Sequence, residues 1–282
     1  MRYELTFHEA DMDALDGMIR AHIGALATPF ESWTEDCLYE CRFYALRCDG
    51  ELIGYAAVFD LTLRFFYVEP AHFAAAPVLL EKVISGLGLE RMQVMTQDPL
   101  LCALVAEWEY DKEKFACLFT DVSDVTCSRL PDAGFRPAKA GDIPSIRGAA
   151  GDFFDKPSGG YANLEQRVGE GLIFILEEAG QLLGCGVAEK SRLMPEIVSI
   201  GMFTVRGQRG RGAATRILTE LKSWTKRQGL TPVAGCWYYN TLSRKSLEAA
   251  GMAATGIVFD AVLKGKEKLP LRTGNPPGEL VE

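Results

Sequence analysis

The chain has 282 residues, enough for two domains, and its hydrophobic fraction of 48% is ordinary for a globular protein. A net charge of −8 argues against general binding to nucleic acid. No apolar run is long enough to span a bilayer, and residues 1–11 carry acids where a signal peptide needs an apolar core. We therefore expect a cytoplasmic protein with neither a nucleic acid nor a membrane as its partner.

The N-terminal half is predicted to alternate strands and helices. The pattern indicates, in order, helices at 11–23 and 35–41, a hairpin at 44–54 with a tight turn ending in Gly50, a strand at 61–68, a helix at 76–87, a strand at 92–96, a helix at 99–108 and a strand at 114–120. A stretch rich in Ser, Asp, Thr and Pro follows at 121–132, which is typical of a linker.

The C-terminal half repeats this order. Its predicted elements are helices at 142–150 and 164–169, a hairpin at 174–184 with a turn at Gly180, a strand at 197–205, a helix at 213–228, a strand at 232–238, a helix at 242–250 and a strand at 254–263. Both halves follow β-α-α-β-β-β-α-β-α-β, which indicates two copies of one fold. The polar, proline-bearing residues 265–282 are predicted to form an extended tail.

The most informative segment is the glycine-rich basic turn at 204–214, between a predicted strand and a predicted helix. Its glycines let the main chain approach a ligand, and the first helix amides together with the arginines favour a phosphate. A Walker-type phosphate loop is excluded because no Lys-Ser/Thr pair follows Gly212. A dinucleotide-binding turn is excluded because it spaces its glycines differently. A solvated basic turn and an Arg-Gly RNA-binding tract are the alternatives.

Two segments resemble the GNAT superfamily of N-acyltransferases. The run Arg209-Gly-Arg-Gly212-Ala-Ala214 fits R/Q-x-x-G-x-G/A, the pattern of that family's coenzyme A pyrophosphate loop. Residues 240–252 resemble the family's N-x-x-S/A segment, which ends in Gly and an apolar residue. The resemblance covers most of 134–264. It implies an α+β fold of two tandem GNAT-like domains, each with a mostly antiparallel twisted sheet flanked by helices.

The resemblance implies different roles for the two halves. Residues 68–77 stand where the second half has its glycine turn, but they contain no glycine, and Glu69 would repel a phosphate. We therefore expect a degenerate domain at 1–125, which binds no cofactor, an acetyltransferase domain at 126–264 and a tail at 265–282.

The resemblance also implies acetyl-CoA as cofactor. Strand residues before the turn would hold the acetyl carbonyl and the pantetheine arm, the turn would hold the pyrophosphate, and the Asn side chain would bond a pantetheine amide. The implied cofactor-binding residues are Phe203, Thr204, Val205, Arg209, Gly210, Arg211, Gly212, Ala213, Ala214, Asn240 and Ser243.

The resemblance leaves the general base open. Glu196 lies thirteen residues before Arg209, where some family members place a catalytic carboxylate. Glu189 and an ordered water chain are further candidates, and a surface acid at a strand end is the alternative reading of Glu196.

The general acid is open as well. Many family members have a Tyr seven residues after the Asn, but this chain has Leu247 there. Tyr238, Tyr239 or Ser243 could donate the proton, or the thiolate leaves unassisted. The three histidines all lie in the N-terminal part, and the eight cysteines follow no metal-ligand spacing, so no metal is expected.

The leading hypothesis is an acetyl-CoA-dependent N-acetyltransferase that acts on a primary amine of a small molecule or peptide by direct attack. Loop 151–161 lies where the family's acceptor site is shaped, and its aromatic and acidic residues suit an amine with an apolar part. A non-catalytic acyl-CoA sensor is the alternative from another class, and a scaffold of two remnant domains is a third. A homodimer stays an open alternative.

Overall fold

The computed structural model describes residues 4–151, 153–155 and 159–268. The strands within these ranges form one continuous, mostly antiparallel sheet of twelve strands. Across the sheet the strands lie in the order β1-β2-β3-β4-β5-β12-β6-β11-β10-β9-β8-β7. The strands are β1 Leu5–Ala10, β2 Arg42–Cys48, β3 Glu51–Phe59, β4 Thr62–Val68, β5 Arg91–Met95, β6 Trp108–Asp121, β7 Gly134–Pro137, β8 Ile173–Glu178, β9 Gln181–Lys190, β10 Ile197–Thr204, β11 Thr231–Trp237 and β12 Met252–Lys268.

Helices cover both faces of this sheet. They are α1 Asp16–Ala25, α2 Ser32–Tyr39, α3 Ala76–Leu87, α4 Pro99–Val105, α5 Ile143–Ala150, α6 Leu164–Gly169, α7 Ala213–Arg227 and α8 Thr241–Ala249. In the first half, α3 and α4 pack on one face while α1 and α2 pack on the other; α7 and α8 oppose α5 and α6 in the second half. Within the described part of the chain, none of these helices has both the length and the apolarity to cross a membrane.

The repeated hairpins have the same turn geometry. Asp49 and Gly50 join β2 to β3 with φ of 49° and 85°, and Ala179 and Gly180 join β8 to β9 with φ of 49° and 77°. Two successive positive φ angles define the two-residue turn that matches the twist of paired antiparallel strands, and glycine adopts them without strain. The two tight turns ending in glycine therefore lie where the sequence predicted them.

The two halves exchange their last strands. The first half's β6 pairs with β11 of the second half, and the second half's β12 lies between β5 and β6. The sheet is therefore continuous across the predicted boundary between 1–125 and 126–264, and that division of the chain into domains stays a prediction.

The fold class is confirmed, and two of the differences in element bounds have a clear physical reason. Trp108, expected at the end of a helix, instead begins β6 and is buried. Residues 265–268 of the predicted tail belong to β12, where Lys268 pairs with Trp108. Hydrogen bonds between β6 and β12 lengthen both strands. Because the two strands are far apart in the sequence, local sequence patterns do not reveal this pairing. Residues 269–282 of the predicted tail lie outside the described residues.

Each half contains one pair of parallel strands that diverge. β4 and β5 pair only over Thr62–Leu63 and Arg91–Met92, and we call the gap beyond them the first fork. β10 and β11 pair only over Ile197–Ser199 and Thr231–Val233, and we call the gap beyond them the second fork. The two forks occupy corresponding places in the two halves.

Candidate active site

The second fork opens because its two strands follow different neighbours. β10 continues along β9 as far as Thr204, whereas β11 continues along β6 as far as Trp237. The edge of β10 that faces β11 is paired over Ile197–Ser199 and carries main-chain groups without a strand partner beyond that point. Such groups are available to hydrogen-bond an extended ligand lying in the fork.

A cavity of about 920 Å³ lies at this fork. It is bounded by the outer end of β10 at Met202–Thr204, the first turn of α7, the first two turns of α8 and the linker residues Val125–Arg129. Phe153, from the loop after α5, also lines it. The volume lies within the range of about 300–1,000 Å³ that is usual for sites of small molecules and cofactors.

The glycine-rich turn forms one end of the cavity. Gly210 and Gly212 have φ of 81° and 94°, in the left-handed region, and Gly212 is the residue that immediately precedes α7. Arg209, Ala213 and Ala214 line the cavity together with both glycines. Since the first amides of α7 have no partners within the helix and the helix dipole is positive here, this end of the cavity suits an anion.

Two other predicted cofactor residues make their contacts elsewhere. The Arg211 guanidinium donates to the carboxylate of Glu178 at 2.7 Å and to Gln208 at 2.6 Å. The main-chain amide of Val205 donates to the carbonyl of Leu183 at 3.0 Å. Neither Arg211 nor Val205 lines the cavity, and their contribution to cofactor binding stays a prediction.

The predicted strand residues Phe203 and Thr204 both line the cavity, from opposite faces of the sheet. Phe203 packs against Phe153 with ring centroids 5.7 Å apart, on the face covered by α5 and α6. The Thr204 hydroxyl oxygen is buried without a hydrogen-bond partner among the described residues. A buried polar atom of this kind is costly unless a ligand or water satisfies it.

Asn240 and Ser243 lie at the start of α8 and line the cavity. The Asn240 side-chain oxygen accepts the Ser243 amide at 3.1 Å and so caps the helix, which leaves its NH₂ group to donate to a ligand. Leu247, in the position of the family's tyrosine, is buried in the core.

The predicted base and one predicted acid do not line the cavity. Glu196 is exposed just before the closed end of the second fork, and its carbonyl accepts the amide of Thr231. Tyr238 lies just past β11, with the Lys114 ammonium 4.8 Å from its ring centroid. Ser243 is the predicted catalytic residue that lines the cavity, so the roles of Glu196 and Tyr238 remain predictions without supporting geometry.

Sequence reasoning missed the contribution of the linker. A Cβ atom on Gly212 would overlap the side chain of Arg129, so this arginine lies directly against the glycine turn. The linker is held on α7 because Arg216 donates to the carbonyl of Cys127, and Lys222 donates to that of Ser123, each at 2.8 Å. The composition of the segment predicted a connection but gave no signal for these long-range contacts.

A buried polar network joins the two halves near the closed end of the second fork. Glu31, just before α2, accepts the amides of Trp33 and Thr34 and the Thr34 hydroxyl. Burial raises the pKa of this carboxyl, and the hydrogen bonds from Thr34 and Trp33 oppose the shift. The next residue, Ser32, donates its main-chain amide to the Ser199 hydroxyl at 2.6 Å.

Glu189 belongs to the same network. Its carboxylate accepts Arg167 Nε at 3.0 Å and the Ser32 hydroxyl at 2.8 Å, and both members of the ion pair are almost completely buried. The lone pairs of a carboxylate held in this way are largely engaged. Glu189 is therefore better suited to positioning the first half than to accepting a proton. Among the described residues, no group of His, Cys, Asp or Glu side chains is arranged to hold a metal ion.

Two family profiles match the chain, one in each half. A profile described as "Acetyltransferase (GNAT) domain" matches residues 11–122, and one described as "Acetyltransferase (GNAT) family" matches residues 146–252. No curated protein matches the chain.

Several solved structures share the fold over nearly the whole chain. An acetyltransferase of the GNAT family from Colwellia psychrerythraea is 16% identical with a TM-score of 0.80, and the match covers 92% of this chain and 100% of that one. A GCN5-related N-acetyltransferase from Sphaerobacter thermophilus is 15% identical with a TM-score of 0.60, covering 93% and 96%. A tandem GNAT protein from the clavulanic acid biosynthesis pathway is 12% identical with a TM-score of 0.57, covering 92% and 98%.

Proposed function

Because the chain belongs to the GNAT superfamily of acetyltransferases, with one GNAT domain in each half, we propose that it is an N-acetyltransferase that uses acetyl-CoA at the second fork. The acceptor in this proposal is a primary amine, and the first fork takes no cofactor. The observation that carries the proposal is the cavity of about 920 Å³, which joins the glycine turn before α7 to the diverging end of β10.

The residues at the cavity fit acetyl-CoA. Gly212, Ala213 and Ala214 would present the first amides of α7 to the pyrophosphate, and Arg209 would add positive charge. The outer edge of β10 would bond the pantetheine arm as an added strand does, and the Asn240 NH₂ group would donate to one of its amides. Arg129, which lies against Gly212, would contact the phosphates from the linker side.

Acetyl-CoA, when bound, would supply an activated thioester carbonyl. The protein's task is then to hold that carbonyl near Phe203 and Thr204, to exclude water and to orient the amine toward it. Phe153 and Phe203 make that end of the cavity apolar, and the buried Phe154 packs behind Phe203. In this proposal the Ser243 hydroxyl gives its proton to the leaving thiolate and is reprotonated by the proton that the attacking amine loses. Since a thiolate is a weak base, only a modest contribution from the serine is needed.

The experiment combines calorimetry with an assay of free thiol on the full chain. We expect acetyl-CoA to bind with a stoichiometry of one per chain and to release free CoA when a primary amine is added. Two bound molecules per chain would contradict the assignment of the cofactor to the second fork alone. Binding without thiol release for any of a panel of amines would instead support a non-catalytic acyl-CoA sensor.

A further inference from the structure

On the face of the sheet opposite α7, two glycines face each other across the second fork. When the parallel register is continued past Ser199 and Val233, Gly201 lies opposite Gly235 at the point where the strands separate. Gly235 is exposed although it lies within β11. Two glycines that face each other across diverging strands leave an opening, and the cavity reaches this face at Phe203.

A segment of the first half closes one side of this opening. The Ser32 amide donates to the hydroxyl of Ser199 on β10, and a Cβ atom on Gly235 of β11 would lie 2.7 Å from Glu31 Cγ. Glu31 and Ser32 thus touch both strands of a fork that belongs to the other half of the chain. Glycine at 235 is what allows the Glu31 side chain to come this close to the main chain of β11.

Exposed aromatic side chains flank the same opening. Trp33 is 40% exposed and stacks on Phe115 with ring centroids 5.0 Å apart. Trp237 is 59% exposed and follows Gly235 by two residues, so it projects from the same face of β11. Trp237 also packs against Tyr239, which is exposed as well. A contiguous patch of exposed aromatic side chains marks a surface that can contact a ligand or a partner.

We infer that the first half supplies part of the acceptor site, and that the acceptor is an ammonium carried on an aromatic or comparably flat apolar group. The Glu31 carboxylate binds the ammonium, while Trp33 and Trp237 contact the apolar part. This inference rests on the proposed function, since it concerns the second substrate of the same fork.

The chemistry of each group matches this class of ligand. The hydrogen bonds from Thr34 and Trp33 fix the Glu31 carboxylate but use three of its roughly four acceptor positions, which leaves room for an ammonium N–H. A desolvated carboxylate attracts a cation more strongly than one in water does. Indole rings stack on flat apolar groups and attract a neighbouring cation through their faces.

The test measures amine binding directly by calorimetry on the full chain, with 2-phenylethylamine, n-butylamine and spermidine as probes. We expect 2-phenylethylamine to bind at least tenfold more tightly than n-butylamine and spermidine. Trp33→Ala and Trp237→Ala should each weaken its binding five- to tenfold and change that of n-butylamine less than twofold. Phe73→Ala removes another exposed aromatic, in the 3-10 turn before α3, and serves as the matched control with no change.

Two further variants test the carboxylate and the opening beside it. Glu31→Gln should weaken the binding of 2-phenylethylamine and n-butylamine at least tenfold. Gly235→Val fills the opening and pushes the Glu31 side chain away from β11, so it should weaken binding of 2-phenylethylamine at least tenfold. Trp33→Ala and Trp237→Ala do not touch this carboxylate, and they keep the test decisive even if Glu31→Gln and Gly235→Val prove unstable in a thermal melt. Glu31→Gln and Gly235→Val should both bind acetyl-CoA with unchanged affinity, because neither residue lines the cofactor cavity.

The outcomes separate the two proposals. If the wild-type chain binds acetyl-CoA but prefers spermidine or n-butylamine, or if Trp33→Ala, Trp237→Ala and Gly235→Val leave amine binding unchanged, this inference is overturned while the proposed function stands. If the chain does not bind acetyl-CoA, the proposed function fails, and the acceptor site fails with it.

Discussion

The two forks share one arrangement of strands and differ in what lies beyond the paired residues. In both halves a parallel pair separates after two or three residues, so the main chain diverges in the same way. In the second half, glycines with positive φ then reverse the chain before α7. In the first half, a 3-10 helix at Pro70–Ala75 runs directly into α3 and leaves no open turn.

The first fork is also filled by side chains. His22 of α1 stacks on Tyr67 of β4 with ring centroids 5.2 Å apart, and its ring nitrogens contact the Tyr55 hydroxyl at 2.8 Å and Asp98, just after β5, at 3.0 Å. All four side chains are buried. Gln97, which follows β5 as Asn240 follows β11, is buried too. The two forks therefore share their diverging strands, but an open turn beside an unfilled gap is found at the second fork and not among the described residues of the first.

The largest effect is expected from placing a charge in the open turn. Gly212→Glu combines an unfavourable backbone conformation, overlap with Arg129 and a negative charge at the helix start. We expect the affinity for acetyl-CoA to fall at least 100-fold, or about 3 kcal/mol, as measured by calorimetry.

Gly207→Glu is the matched control for this charge. It adds the same carboxylate to the same loop, where a Cβ has no neighbour within 4 Å and the residue does not line the cavity. A loss of less than fivefold is expected there. Equal losses in the two variants would show that general charge, and not the geometry of the turn, governs binding.

A substitution in the first fork is expected to lower the stability of the protein without changing its affinity for acetyl-CoA. His22→Ala leaves the Asp98 carboxylate and the Tyr55 hydroxyl buried without their histidine partner and creates a cavity. This should lower the free energy of unfolding by about 2–4 kcal/mol, as measured by denaturant titration, with acetyl-CoA affinity unchanged. The exposed His8 provides the control, since His8→Ala should alter stability by less than about 0.5 kcal/mol. Weaker cofactor binding in His22→Ala would mean that the first fork takes part in the site.

The smallest effect is expected from the linker. Arg129→Ala should weaken acetyl-CoA binding about tenfold, or about 1.4 kcal/mol, because it removes one phosphate-facing cation. Arg211→Ala, in the same turn but paired with Glu178, should weaken binding less than threefold. The two losses of acetyl-CoA affinity are compared by calorimetry at two salt concentrations. A larger loss in Arg211→Ala than in Arg129→Ala would show that Arg211, and not Arg129, contacts the phosphates.

The sequence could predict the features that depend on residues close together in the chain. The helix at Ala76–Leu87 and the glycine turn before α7 were predicted because apolar spacing and backbone freedom are properties of neighbouring residues. Arg129 and Glu31 were missed because they reach the second fork from roughly 80 and 200 residues away, respectively. Glu196 was placed by spacing alone, and spacing does not show that it precedes the paired end of the strand, away from the cavity.

The exchange of final strands also affects how the chain can be made. β5 obtains its second neighbour only when β12, ending at Lys268, has been synthesised, and β6 must wait for β11. At a translation rate of about 5–20 residues per second, the edge of β5 is left uncovered on the ribosome for roughly 10–35 s. An uncovered edge invites pairing with other chains during that interval. A gene fragment ending near residue 125 would keep that exposed edge permanently, so neither half is a natural unit for separate expression.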